Sequence, residues 1–96
     1  MNVTIFDIQL TKTAAGDLDS ISDGLRRKIT EESKILSTNP FLFEGSIKKL
    51  KAFKPPLYRL RSGDYRVLYP VHGDLVTIMR VIDRKDLDRI IKRIRL

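Results

Sequence analysis

Residues 57–83, Leu57-Tyr58-Arg59-Leu60-Arg61-Ser62-Gly63-Asp64-Tyr65-Arg66-Val67-Leu68-Tyr69-Pro70-Val71-His72-Gly73-Asp74-Leu75-Val76-Thr77-Ile78-Met79-Arg80-Val81-Ile82-Asp83, decide the fold. Ser62-Gly63-Asp64 and His72-Gly73-Asp74 are turn signals that divide the stretch into three β-rich runs, the pattern of an antiparallel meander. Side chains alternate between the faces of a strand, so Leu57, Arg59 and Arg61 share one side of the first run. Tyr58 and Leu60 take the other. In the second run Tyr65, Val67, Tyr69 and Val71 make the core-like face, with Arg66 and Leu68 opposite. The simplest register gathers Arg59, Arg61 and Arg66 on the side away from any covering helices.

Working back from Leu57, Pro55-Pro56 interrupts a strand. Before it, Ile47–Phe53 sets Lys48, Leu50 and Ala52 against Ile47, Lys49, Lys51 and Phe53, as a strand or extended edge would. Phe41, Leu42, Phe43, Gly45 and Ser46 form a partly apolar connection. Earlier still, a strand is expected over about Asn2–Leu10, with Val3, Ile5, Ile8 and Leu10 as its apolar residues. Thr11 or Thr13 then caps a short helix through Ser20 that turns Ala14, Ala15, Leu18 and Ile21 to one side. A break at Ser22-Asp23-Gly24 leads to a second helix, with Leu25, Ile29, Ile35 and Leu36 at helical spacing, and Asn39-Pro40 ends it. The two helices read as a hairpin shielding one face of the sheet. After the meander, Asp86–Leu96 is a basic amphipathic helix with Leu87, Ile90, Ile91 and Ile94 on its apolar side. The class is α+β, with residues 1–96 expected as a single domain.

Charge is segregated along this plan. Residues 1–47 hold five Lys/Arg against seven Asp/Glu, a net of −2, whereas residues 48–96 hold 14 against five, a net of +9. A positive surface of that kind attracts phosphates and releases their counterions on binding. An acidic protein partner or a merely solvated surface would show the same composition. The chain has no cysteine, which excludes disulfides, thiolate metal sites and a cysteine nucleophile. Without a long apolar run or a basic leader, no membrane partner and a cytoplasmic location are expected.

His72, the one histidine, sits in a turn with no partner for acid–base work, and the carboxylates are not paired at metal-ligand spacings. No metal and no cofactor are therefore expected. Arginines mounted on strands remain, and guanidinium groups grip phosphates by forked hydrogen bonds and stabilise the charge of a phosphoryl transition state. A metal-free ribonuclease needs little more, because the RNA supplies its own 2′-hydroxyl nucleophile. Tyr58 and Tyr65 could stack on bases, although alternation sets them, with Tyr69, in or beside the core.

The segments Lys49-Leu50-Lys51, Leu57–Arg61, Gly63–Tyr69 and Arg84-Lys85-Asp86 together resemble the RelE/ParE superfamily of bacterial and archaeal toxins. The similarity follows the whole order of strand, helical hairpin, three-strand meander and C-terminal helix in a mixed sheet. It implies the toxin of a type II toxin–antitoxin pair, held by an antitoxin protein in a heteromeric complex. In the RelE-like branch it further implies a ribosome-dependent mRNA endoribonuclease. By position, Arg59, Arg61, Arg66 and Arg84 match the family's catalytic basic residues, with Lys49, Lys51, Arg80 and Lys85 assigned to RNA binding. The antitoxin is expected on the basic face or on the apolar stripe of the C-terminal helix.

The chain also departs from the pattern. Asp83 stands where many RelE-like members have histidine or lysine, and Asp88 or Ile90 where they have tyrosine. The proton-handling group is then Asp83, a lysine, or missing. A ParE-like inhibitor of DNA gyrase without nuclease chemistry, or a degenerate basic binding module, remains the alternative.

Overall fold

The computed structural model describes residues 5–41, 45–51 and 53–94. Strand β1 spans Asp7–Leu10, helix α1 Lys12–Asp19 and helix α2 Asp23–Ser33, continued by a 3-10 turn at Lys34–Ser37. Strands β2 (Ile47–Leu50), β3 (Leu57–Ser62), β4 (Tyr65–His72), β5 (Leu75–Ile78) and β6 (Arg80–Asp83) follow. A 3-10 turn at Arg84–Asp86 then opens into α3, Leu87–Ile91. The strands form one mixed sheet in the order β1-β5-β4-β3-β2, with β6 also paired to β4. Pairing is parallel between β1 and β5 and antiparallel elsewhere.

The α+β plan and its helical hairpin agree with the sequence, and the caps explain the boundaries. Thr11 caps α1 by accepting from the Ala14 N–H at 3.1 Å, and its hydroxyl donates to the Met79 carbonyl at 3.0 Å. Ser22 caps α2, so the break expected at Ser22–Gly24 falls instead at Ser20–Ser22 and Gly24 lies inside the first turn. The opening strand is shorter than expected at its described end. Its pairing with β5 begins at Asp7↔Leu75, the outward-facing Phe6 N–H donates to the Ser37 carbonyl at 2.7 Å, and Asn2 and Val3 lie outside the described residues. Leu42, Phe43 and Ala52 do so as well.

Gly63 and Gly73 adopt φ of 59° and 58° at the first central position of the two hairpin turns, as two-residue turns of the primed types require. The third run of the meander is bent into β5 and β6. β4 pairs with β5 through Val71↔Val76 and with β6 through Leu68↔Arg80, a slip of one residue that makes a bulge at Met79. Pro70 sits at the slip, and a residue without an N–H is tolerated in a central strand at such a point.

The main core lies between the helical hairpin and one sheet face. Ala14, Ile29, Leu36, Ile47, Leu60, Val67, Tyr69, Val76, Ile78 and Val81 are buried there. The fully buried Tyr69 ring stacks on Tyr58 at 5.8 Å, and its hydroxyl donates to the Pro40 carbonyl at 2.7 Å. Burial, with Tyr58 adding a smaller effect, raises the Tyr69 pKa far above the usual phenol range. Ala15, expected on the packed side of α1, is exposed, and Leu25 of α2 is half-exposed at 42%. A smaller patch on the opposite sheet face joins Leu68 and Ile82 to Ile90, flanked by Leu50, Leu87, Ile91 and Ile94. The C-terminal helix therefore lies on the second face, as its apolar stripe requires.

Candidate nucleic-acid interface

Strand alternation and register build a cationic surface beside the small patch. Arg61 of β3 is the direct cross-strand partner of Arg66 of β4, and Arg59 of β3 is the partner of Lys48 of β2. All four lie on the face that carries Leu68 and Ile82, away from the helical hairpin. Like charges directly opposite one another destabilise an antiparallel pair, so two such pairs on one face are unfavourable for folding alone. Among the described residues, no carboxylate lies within ion-pair distance of Lys48, Arg59, Arg61 or Arg66.

Arg84 joins this group from the turn after β6. Partial burial lowers the Arg66 pKa first, and the charges of Arg59, Arg61 and Arg84 lower it further, while Asp64 opposes them. Arg59 is lowered in the same way, by burial and then by Arg61. Four arginines from two strands and one turn thus share a single electrostatic site. The β3–β4 turn orients two of them. Arg66 donates to the carbonyls of Gly63 at 2.9 Å and Tyr65 at 3.0 Å. The Arg84 N–H donates to the Asp64 carbonyl at 2.7 Å, and its Nε lies 3.7 Å from the Asp64 carboxylate.

The other sequence candidates separate. Register pairs Lys49 with Tyr58 and places it on the helix-side face, across the sheet from the arginines with which it was expected to stand. Lys51 follows β2 in an exposed turn. Arg80 is turned over the free edge of β6 to Asp17 of α1, with Nε–Oδ2 at 2.9 Å and Nη2–Oδ1 at 3.2 Å. The hydrogen bond to Asp17 raises the Arg80 pKa, and the same carboxylate accepts from the Val81 N–H at 2.9 Å. Arg80 is therefore committed to an internal pair that closes a strand edge. Lys85 is exposed beside Arg84.

Of the proton-handling candidates, Asp83 is the cross-strand partner of Tyr65 and so belongs to the helix side, where its carboxylate accepts from the Lys85 N–H at 3.0 Å. Ile90 is buried at 7% exposure in the patch over Leu68 and Ile82, and Asp88 is exposed on α3. His72 ends β4 six residues beyond Arg66, roughly 20 Å along the strand. Among the described residues, Asp64 is the carboxylate that the structure brings to the arginines. Tyr58 and Tyr65 both pack against the main core. The sequence reading missed Lys48, whose alternation was visible but whose partner across residues 51–56 was not.

Comparison with known proteins bears on the fold and the family. The RelE1 protein of Methanocaldococcus jannaschii, designated a toxin by its name, is 34% identical over 83 residues, spanning 84% of this chain and 91% of that protein. The fold matches a chain of the archaeal RelE–RelB complex from Pyrococcus horikoshii with a TM-score of 0.71 and 28% identity, over 83% of this chain and 96% of the other. A chain of the RelBE2 toxin–antitoxin complex of Mycobacterium tuberculosis matches with the same TM-score at 26% identity, over 83% and 99%. The family described as the ParE toxin of type II toxin–antitoxin systems matches residues 8–88. With its strand order, helical hairpin and arginine face in place, the chain belongs to that family of toxins.

Proposed function

We propose that this toxin inhibits translation by cleaving mRNA on the ribosome, with Arg61, Arg66 and Arg84 around the scissile phosphate and Arg59 alongside. The observation that carries the reading is the direct pairing of Arg61 with Arg66. Two guanidinium groups that repel each other across a sheet become favourable once a phosphate bridges them by charge-assisted hydrogen bonds. A metal-free route suffices for the chemistry. The RNA 2′-oxygen loses its proton and attacks the adjacent phosphorus, the bond to the 5′-oxygen breaks, and that oxygen takes up a proton. The arginines stabilise the charge of the pentacoordinate phosphate. They stay protonated and do not serve as the base. Asp64 accepts the 2′-proton in this reading, because it is the carboxylate at the cluster.

Relatives solved as RelE–RelB and RelBE2 complexes support a cognate antitoxin as the partner. The apolar stripe of α3 is already packed against Leu50, Leu68 and Ile82, which favours the basic face for an acidic antitoxin segment. Such a segment would exclude RNA from the same surface.

Purified toxin in a reconstituted translation reaction, with mRNA ends mapped by primer extension, tests the proposal. Cleavage is expected with ribosomes, and Arg66→Ala or Arg84→Ala should suppress it. Undiminished inhibition by both variants would sink the mechanism. A second reading, inhibition of DNA gyrase without nuclease activity, is favoured by the two residues that can stand where RelE-like relatives carry tyrosine, the exposed Asp88 and the buried Ile90, neither of which has a phenol. Loss of supercoiling activity with translation intact would select it.

A further inference from the structure

We infer that Lys48 and Arg59 form a second phosphate subsite beside the Arg61–Arg66–Arg84 group, so that single-stranded RNA lies along β3 with two consecutive phosphates engaged. The inference rests on the RNA reading above and extends it to how much of the strand is held. Lys48 and Arg59 are direct cross-strand partners, and Arg61 and Arg66 form the like pair two residues further along β3. Partnered Cα atoms lie about 4.5–5.5 Å apart, so long cationic side chains from both can close on one phosphate. Along the strand the two pairs are separated by roughly 6.7 Å, two residues of rise. That interval is comparable to the step between successive phosphates of an extended single strand.

A different role for Lys48 has to be weighed, because β2 is an edge of the sheet. Lysine on an edge strand discourages pairing with other chains. Lys49, also exposed on the same strand and facing the neutral Tyr58, suffices for that purpose. Lys48 faces a half-buried arginine instead, and among the described residues no carboxylate lies within ion-pair distance of either. Edge protection needs no such arrangement. A phosphate does.

Adjacent lysines on opposite faces give the experiment its internal control. NMR titrations of the full chain with 2′-O-methyl RNA, which cannot be cleaved, would compare a dinucleotide bearing one phosphate with a pentanucleotide bearing four, over a salt series. Each phosphate engaged on a single strand contributes about 0.7 to the slope of log affinity against log salt. Lys48→Ala should remove about 0.7 from the pentanucleotide slope and leave the dinucleotide unchanged. Lys49→Ala should alter neither, and Lys48→Arg should keep the wild-type slope. Equal pentanucleotide slopes for Lys48→Ala and wild type, with Arg66→Ala still weakening both oligonucleotides, would overturn the second subsite and leave the RNA reading standing. Binding of wild type that is indifferent to Arg66→Ala would remove the RNA reading and this inference with it. Matching thermal midpoints for the two lysine variants exclude an effect through folding.

Discussion

The two faces of the central hairpin are written by alternate residues of the same strands, yet they answer to different demands. Tyr58, Leu60, Val67 and Tyr69 face the helical hairpin within a core that buries ten of the described residues. Two buried hydroxyls on this side are matched, Tyr69 with the Pro40 carbonyl and Ser62 with Glu32 at 2.7 Å. Arg59, Arg61 and Arg66 face the other way beside a patch that buries three of the described residues, with cations opposed rather than paired. Burying apolar area drives folding, and like charges facing each other oppose it. One face therefore carries the stability, and the other keeps an unfavourable charge arrangement that a ligand can relieve.

Breaking the stable face should have the largest effect. Tyr69→Ala leaves a cavity at a fully buried position and strips the Pro40 carbonyl of its donor. A cost of about 3–5 kcal/mol is expected, read as a lower denaturant midpoint. Next comes Asp17→Ala, which removes three hydrogen bonds, two from Arg80 and one from the Val81 N–H. Because Arg80 keeps some exposure, the expected loss in chemical denaturation is about 2 kcal/mol. A loss confined to RNA binding, with stability intact, would return Arg80 to the functional set.

That assignment of Arg80 marks where the sequence stops being legible. Turn chemistry at Gly63 and Gly73 and period-two alternation were enough to place Arg59, Arg61 and Arg66 on one face. Both are local properties. The bulge at Met79 depends on how β4 divides its pairing between β5 and β6, and the direction of Arg80 depends on Asp17, 63 residues away. Lys48 and Lys49 could not be told apart for the same reason. Their faces are fixed by the register of β2 on β3 across a connection that contains Pro55 and Pro56. Likewise, the start of β1 at Asp7 is set by its pairing with Leu75 of β5, which no alternation pattern contains.

On the other face, substitutions should separate function from folding. Arg66→Ala removes one member of the repelling pair and two hydrogen bonds to turn carbonyls. The opposing terms should keep stability within about 0.5 kcal/mol of wild type. Losing hydrogen bonds from a charged group to phosphate, about 1.5–3 kcal/mol, should weaken RNA binding roughly 10- to 100-fold. A collapse in thermal midpoint on this substitution would blur the contrast between the faces.

The smallest effect on stability and the sharpest on mechanism is expected for Asp64→Asn. The Asp64–Arg84 pair is solvent-exposed on both sides and long at 3.7 Å, which puts it at the bottom of the range of about 0–1 kcal/mol for surface pairs. The amide preserves the turn, the carbonyl that accepts from the Arg84 N–H, and the side-chain shape. It also removes a negative charge that Arg66 feels at the site, so a polyanion should bind somewhat more tightly. If Asp64 takes the 2′-proton, cleavage should nonetheless fall by about 10²–10⁴-fold, because an amide cannot act as the base. Binding and cleavage would then move in opposite directions, a result that simple misfolding cannot produce. Cleavage that rises with binding would leave Asp64 as a brake on the cluster and pass the proton to another group. If both fall together, its contribution is to hold Arg84 in place.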